Sequence, residues 1–243
     1  MNIINTILNS YSDFFSLAEL MKELSDPASW GIILTLIILE GLLSADNALV
    51  LAMMVKHLPE KEQKKALTFG IWGAYIFRFI AIGIGTYLIK IWWIKLIAAG
   101  YLLKISLDFF FKKKPEEHEE VNAFKKGFWA TIATVELMDI AFSIDSVTAA
   151  FGVSNKVWVL FLGAIFGILM MRGIAKVFVS LIDNIPELEG GAYILIMVIA
   201  LRMLLELIHI EIPDLIFYGL LVSIFGGTFI FHNIRERVQN QLD

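Results

Sequence analysis

WGIILTLIILEGLLSADNALVLAMMV, residues 30–55, is apolar for long enough to cross a bilayer as a helix, yet it carries two acids, Glu40 and Asp46, in its middle. A hydrocarbon core about 30 Å thick needs roughly 20 mostly apolar residues per spanning helix. Six further runs of that kind follow, at 66–89, 91–111, 127–153, 157–182, 190–209 and 213–233. Polar or Pro-containing stretches separate several of them: KHLPEKEQKK after the first, KKKPEEHEEVNAFKK at 112–126, DNIPELEGG around Pro186 and HIEIPD around Pro213. The pattern predicts an all-α integral membrane protein with seven transmembrane helices.

The bulk composition agrees. Of 243 residues 58% are hydrophobic and 18% charged, with a mean hydropathy of +0.74, which is outside the range of a soluble domain. Seven spans leave no room for a separate soluble catalytic domain. There is no cysteine, which excludes disulfides, thiolate metal sites and a cysteine nucleophile. HExxH is absent and no pair of histidines lies in mid-helix, so the chain is not expected to be an enzyme. Residues 1–25 contain Asp13 and Glu19 and no basic n-region, so no cleaved signal peptide is expected.

Basic residues set the expected orientation, because cytoplasmic loops are rich in Lys and Arg. With the N-terminus outside, the inner side collects Lys56, Lys61, Lys64, Lys65, the five lysines of 112–126, Arg235 and Arg237. The outer side collects only Lys22, Lys90, Lys95 and Lys156, of which Lys90 and Lys95 stand with Trp92 and Trp93 in a cluster that fits a membrane interface. A plasma-membrane protein with its C-terminus in the cytoplasm is expected. The lysine-rich loop reads as an orientation signal in contact with lipid headgroups, and no nucleic-acid partner is expected.

Two stretches of the chain repeat. Glu40 and Asp46 are separated by five residues, and so are Asp139 and Asp145 in the fourth run. Gly73 precedes Arg78 by five positions, as Gly167 precedes Arg172; Lys104 and Asp108 are four apart, as are Arg202 and Glu206. Three helices per unit is an odd number, so consecutive units cross in opposite senses, and the repeat is inverted. Such repeats hold the substrate sites of many secondary transporters near the midplane. The expected organisation is an extracytoplasmic segment at 1–29, repeat 1 at 30–111, a cytoplasmic charged loop at 112–126, repeat 2 at 127–209, and a seventh helix with a cytoplasmic tail at 210–243.

Five acids, Glu40, Asp46, Glu136, Asp139 and Asp145, thus fall at membrane depth. An ionised carboxylate facing lipid costs roughly 3 kcal/mol or more, so the five must face one another, the arginines, water or a bound cation. Asn47, Ser44, Ser143 and Ser146 add neutral oxygens, and an all-oxygen set suits Mg²⁺, Ca²⁺ or Mn²⁺. All four histidines fall at or beyond the ends of the runs, which weakens a zinc reading. Arg78 and Arg172 are expected to hold carboxylates in place or to gate. Glycines Gly70, Gly73, Gly163 and Gly167 are expected at close helix contacts.

Geometry leaves two possibilities open. Six residues on a straight helix turn through about 600°, which leaves Glu40 and Asp46 roughly 120° apart, and likewise Asp139 and Asp145. Either the helix opens locally near Gly41, Ser44 and Asn47, or each acid faces a different neighbour, with Asp46 and Asp145 meeting across the repeat axis. Crowded carboxylates also bind protons when no cation is present, which makes proton coupling a further expectation.

EGLLSADNALVLA at 40–52 and VELMDIAFSIDSVTAAFGVS at 135–154 resemble the TerC family of integral membrane proteins, named for tellurium resistance. The resemblance implies a seven-helix fold related to lysine-exporter-type transporters and the activity of a manganese exporter. It further implies Glu40, Asp46, Asn47, Glu136, Asp139 and Asp145 as the metal positions. Mn²⁺ as the transported ion, and its export from the cytoplasm, come from that resemblance; the residues themselves leave Ca²⁺ open. The family's name also suggests an alternative, a non-transporting membrane scaffold of a tellurite, oxyanion-resistance or stress complex. Protein partners and oligomeric state are not fixed by these residues.

Overall fold

A computed structural model describes residues 14–84, 92–111, 127–210 and 212–239, and within them every regular element is a helix. The expected cytoplasmic loop at 112–126 lies outside the described residues. In chain order the helices are α1 (Leu17–Ser25), α2 (Pro27–Leu43), α3 (Ala45–Lys56), α4 (Glu60–Ile84), α5 (Trp92–Phe111), α6 (Phe128–Val153), α7 (Val157–Asn184), α8 (Glu187–Leu207) and α9 (Asp214–Gln239).

Three of these, α4, α7 and α8, are long and apolar enough to cross a membrane, and a fourth span results if α1 and α2, bent by 87°, are taken together. Helices α5 and α6 have comparable length, but each carries three charged residues, Lys95, Lys104 and Asp108 in one and Glu136, Asp139 and Asp145 in the other. The charges that make them interesting are what lower their apolarity. Helix α9 continues to Gln239, past the expected end of the last run, so His232 lies inside a helix and its Nδ1 meets Glu187 Oε2 at 2.8 Å.

The first run is two helices. Asp26 caps α2 by accepting from the Ala28 amide, with Pro27 in the first turn, a position where the missing N–H costs nothing. The helix stops at Ser44, whose ψ of 10° departs from helical values, and α3 resumes at Ala45. At the break the Leu42 carbonyl accepts the Tyr218 hydroxyl of α9. Helix interruptions of this kind expose backbone that must be bonded elsewhere in a membrane interior.

Helix α3 is the centre of the bundle, with every residue of 47–55 buried. Helices α2 and α3 pack on α7, α4 packs on α6 and α7, α5 packs on α8, and α9 lies against α8. The closest approach of α2 and α7 depends on glycine: a Cβ at Gly167 would stand 2.5 Å from Glu40 Cγ, and one at Gly163 2.8 Å from Leu36 Cβ. On the outside, Trp30, Leu34, Ile38 and Leu42 form an exposed stripe on α2, and Phe69, Trp72, Ile76 and Ile80 another on α4. Large apolar side chains facing outward at helical spacing are what a lipid solvent selects.

Near the N-terminal end, Lys156, just before α7, donates to Glu23 of α1 at 2.7 Å and to Ser29 at 3.2 Å. Glu23 also accepts from Ser29. This clasp fastens the sharp bend between α1 and α2 to the connection between α6 and α7.

Candidate ion site

The six acids and amides expected at one metal site occupy two layers. In the inner layer Arg78 of α4 grips Glu40 of α2 with two nitrogens, Nη2 to Oε1 at 2.8 Å and Nη1 to Oε2 at 3.3 Å, and Nη1 also donates to Ser146 Oγ of α6 at 2.7 Å. The Ser44 hydroxyl adds a donor to Glu40 Oε1 at 3.1 Å. Arg172 of α7 donates to Asp139 of α6 and, at 3.1 Å, to the Gly70 carbonyl of α4. All four charged groups are buried. Each guanidinium therefore ties three helices together, and a planar fork with fixed donor directions is suited to that.

Glu136 lies one turn along α6 from Asp139, half-buried, with its carboxylate against Gly73 of α4. Any larger residue at Gly73 would overlap it. Between the two ion pairs a void of about 10 Å³ is lined by Glu40, Asn47, Arg78, Asp139, Ser143 and Ser146, among others, which is about the room one water needs. Arg78 Nε and Arg172 Nε and Nη1 are buried without a hydrogen-bond partner among the described residues.

The outer layer is open. A cavity of about 590 Å³ has Asp46 and Asn47 of α3 and Asp145 and Ser146 of α6 in its lining, with Lys95 of α5 and Arg202 and Glu206 of α8 around them. Asp46 stands in the first turn of α3, where its Oδ1 accepts the Asn47 amide at 2.8 Å. Asp145 is ion-paired with Lys95, which also lies 3.5 Å from Glu206; Glu206 accepts from Arg202 Nε at 3.1 Å. Arg202 sits 5.0 Å over the Phe217 ring.

The opposite end is shut. Below the acids α3 is wrapped in apolar side chains from Leu49 to Val55. At its foot Lys56 pairs with Glu189 at 2.9 Å, His57 meets Thr131 at 3.1 Å, and Gln63 donates to the Lys56 and Leu58 carbonyls.

The structure thus brings Asp46, Asn47, Asp145 and Ser146 to one cavity and keeps Glu40, Asp139, Ser44 and Ser143 in the layer behind it. Among the described residues no three histidines or acids are grouped closely enough to hold a metal ion. Of the two geometries left open by the six-residue spacing, both contribute: the first helix breaks at Ser44, and within each acid pair one member faces an arginine and the other the cavity.

The residue that sequence reasoning missed is Lys95. Its place beside Trp92 and Trp93 suggested an interfacial anchor, yet it lies one turn into α5 and points inward, its side chain 13% exposed. His209 was also missed. It lines the cavity in a turn closing α8, at φ 61°, with the Ile210 amide on the Leu205 carbonyl at 2.9 Å, a helix end that more often carries Gly.

The chain matches one family of proteins over nearly its full length, the integral membrane protein TerC family, across residues 25–240. The chain belongs to the TerC family. Among its relatives, a Bacillus subtilis protein described as uncharacterized membrane protein YceF is 52% identical, with 98% of this chain and 96% of that one aligned. A second Bacillus subtilis membrane protein, YkoY, is 36% identical over 79% of this chain and 69% of its own. More distant is the chloroplastic thylakoid membrane protein TERC of Arabidopsis thaliana, 28% identical over 70% of this chain and 52% of its own. No solved structure matches. The motifs that carry the resemblance, at 40–52 and 135–154, supply Glu40 and Asp139 to the inner layer and Asp46 and Asp145 to the outer one, while the cations of both layers come from other segments.

Proposed function

We propose that the chain is a divalent metal transporter that exports Mn²⁺ from the cytoplasm by alternating access, with Ca²⁺ the second candidate ion. The observation that carries this reading is the cavity of about 590 Å³ with Asp46 and Asp145 in its lining. Carboxylates in water-filled space at membrane depth attract cations, and oxygen donors favour hard ones. Asp46 and Asp145 are the primary ligands in this conformation, with Asn47 and Ser146 as neutral donors.

Seven spans in two inverted units and an extra helix fit the packing. The span formed by α2 and α3 packs on α7 as α6 packs on α4, and α5 meets α8. Arg78 joins Glu40 in its own unit to Ser146 in the other; Arg172 joins Asp139 in its own unit to Gly70 in the other. With the N-terminus outside, the cavity opens outward and the Lys56–Glu189 end faces the cytoplasm of a plasma-membrane protein. Glu40, Asp139 and Glu136 serve an ion only after the arginine pairs part, which makes those pairs the switch between outward and inward states. Proton release accompanies metal binding in this scheme.

The test is purified protein in liposomes loaded with a Mn²⁺-sensing dye. Wild type is expected to admit Mn²⁺ faster than empty liposomes, and Asp46→Asn and Asp145→Asn to abolish the difference. Wild-type flux equal to that of empty liposomes would favour a scaffold. Flux that survives both substitutions would displace the site, and flux that neither responds to a pH gradient nor moves protons would remove the coupling.

A further inference from the structure

We propose that Lys95 is a tethered surrogate for the transported ion: it occupies Asp145 in the empty protein and transfers to Glu206 when a divalent cation enters. This rests on the transport reading and deepens it, because it names what the ion must displace.

The cavity is less negative than its acids suggest. Three carboxylates, Asp46, Asp145 and Glu206, face two fixed cations, Lys95 and Arg202. Asp46 makes no ion pair among the described residues, whereas Asp145 is held by Lys95. The Lys95 side chain is mostly buried and Asp145 is 56% exposed, so the ammonium approaches from the protein side while the other face of the carboxylate is open to the cavity. A divalent ion entering between Asp46 and Asp145 would meet that ammonium across one carboxylate. Like charges on one carboxylate in a partly desolvated site repel each other, so both cannot share Asp145 without a large loss of affinity.

Glu206 supplies the exit. Its carboxylate already stands 3.5 Å from Lys95 Nζ and also carries Arg202. A lysine on four rotatable bonds can exchange one carboxylate for the other without backbone motion. Glu206 is then a positioning residue: it touches no transported ion, and it acts by receiving Lys95. The arrangement gives the cavity a low affinity that the ion must overcome by moving a charge between α5 and α8. A protein that releases its cargo needs that weakness, since binding must be favourable enough to enter and weak enough to leave.

The probe is Mn²⁺, titrated calorimetrically into the full-length protein in detergent, with thermal unfolding run on every variant. Lys95→Gln is expected to bind Mn²⁺ about tenfold more tightly than wild type, and Lys95→Arg, which keeps the charge and grips carboxylates in two places, to bind more weakly. Glu206→Gln should weaken binding several-fold, because Lys95 is left on Asp145. In Lys95→Gln/Glu206→Gln the effect of Glu206→Gln should vanish, since nothing remains to be received. A lysine that only supports the fold would instead lower affinity and stability together in Lys95→Gln. Unchanged or weaker binding by Lys95→Gln, or a Glu206→Gln effect that persists without Lys95, overturns the proposal while Mn²⁺ binding lost in Asp46→Asn still upholds the site. No Mn²⁺ binding in wild type or in Lys95→Gln overturns both.

Discussion

Glu40 and Asp139 on one side, Asp46 and Asp145 on the other, come from the same repeated spacing and meet opposite fates. The first two are buried and gripped by guanidinium groups; the second two face a cavity roomy enough for water. In α6 the six-residue interval explains the split, since about 120° of helical rotation sends Asp139 and Asp145 toward different neighbours; between Glu40 and Asp46 the chain also breaks at Ser44. One pair of acids holds the bundle together; of the other pair Asp145 is held by Lys95 and Asp46 makes no ion pair among the described residues. A basic side chain reaches Asp145 as well as Glu40 and Asp139, so what separates the layers is burial: the arginine pairs are closed off, whereas the Lys95–Asp145 pair borders the cavity.

The contrast breaks most readily at the inner layer. Arg172→Met should destabilise the detergent-purified protein by roughly 3–5 kcal/mol, because Asp139 would be left buried without a partner. Adding Asp139→Leu should return most of that loss. If thermal unfolding found Arg172→Met as mild as a change at Asp46, the two layers would not differ as described. Next comes Gly167→Ala, whose Cβ would press on Glu40 while Arg78 holds it, at a cost of roughly 1–3 kcal/mol. Gly100→Ala, with open space around its Cβ, should instead gain about 0.5–1 kcal/mol as a helix-interior replacement.

Tyr218→Phe removes the donor to the Leu42 carbonyl at the break between α2 and α3, and a loss of about 1 kcal/mol is expected. Faster hydrogen exchange in α3 than in α6 would locate the effect. Asp46→Asn sharpens the comparison from the other side: stability within about 0.5 kcal/mol of wild type, with Mn²⁺ flux lost.

The smallest effect lies at the clasp beyond the spanning helices. Burial pushes the Glu23 carboxyl up, but hydrogen bonds from Lys156 and Ser29 outweigh it and hold the group below the usual carboxylate range. A depressed folded value means that the clasp contributes fully above the unfolded value near pH 4.3 and loses its contribution as pH falls through the folded value. Hydrogen exchange in α1 should therefore rise only below about pH 4. In Lys156→Gln the rise should begin at higher pH. A profile identical in both proteins would separate Glu23 from Lys156.

Much of this was legible before any coordinates. Apolar runs of spanning length and the doubled acid motif announced a helical membrane protein and pointed to segments that carry the buried ion pairs and border the cavity. The break at Ser44 was one of two open possibilities, because Gly41, Ser44 and Asn47 weaken a helix without dictating where it stops. Lys95 was read as an anchor because interfacial lysines usually stay with their tryptophans, and nothing local says which way such a side chain turns.

The sequence by itself determined the helical membrane class of the fold and its TerC membership, since these follow from hydropathy and motif along one chain. Which carboxylate meets which cation was decided only by the tertiary structure. Glu40 meets Arg78 across 38 positions and Asp145 meets Lys95 across 50, and pairings at that separation depend on how helices are arranged around α3. Charge partners are chosen by packing, and packing is a property of the assembled bundle.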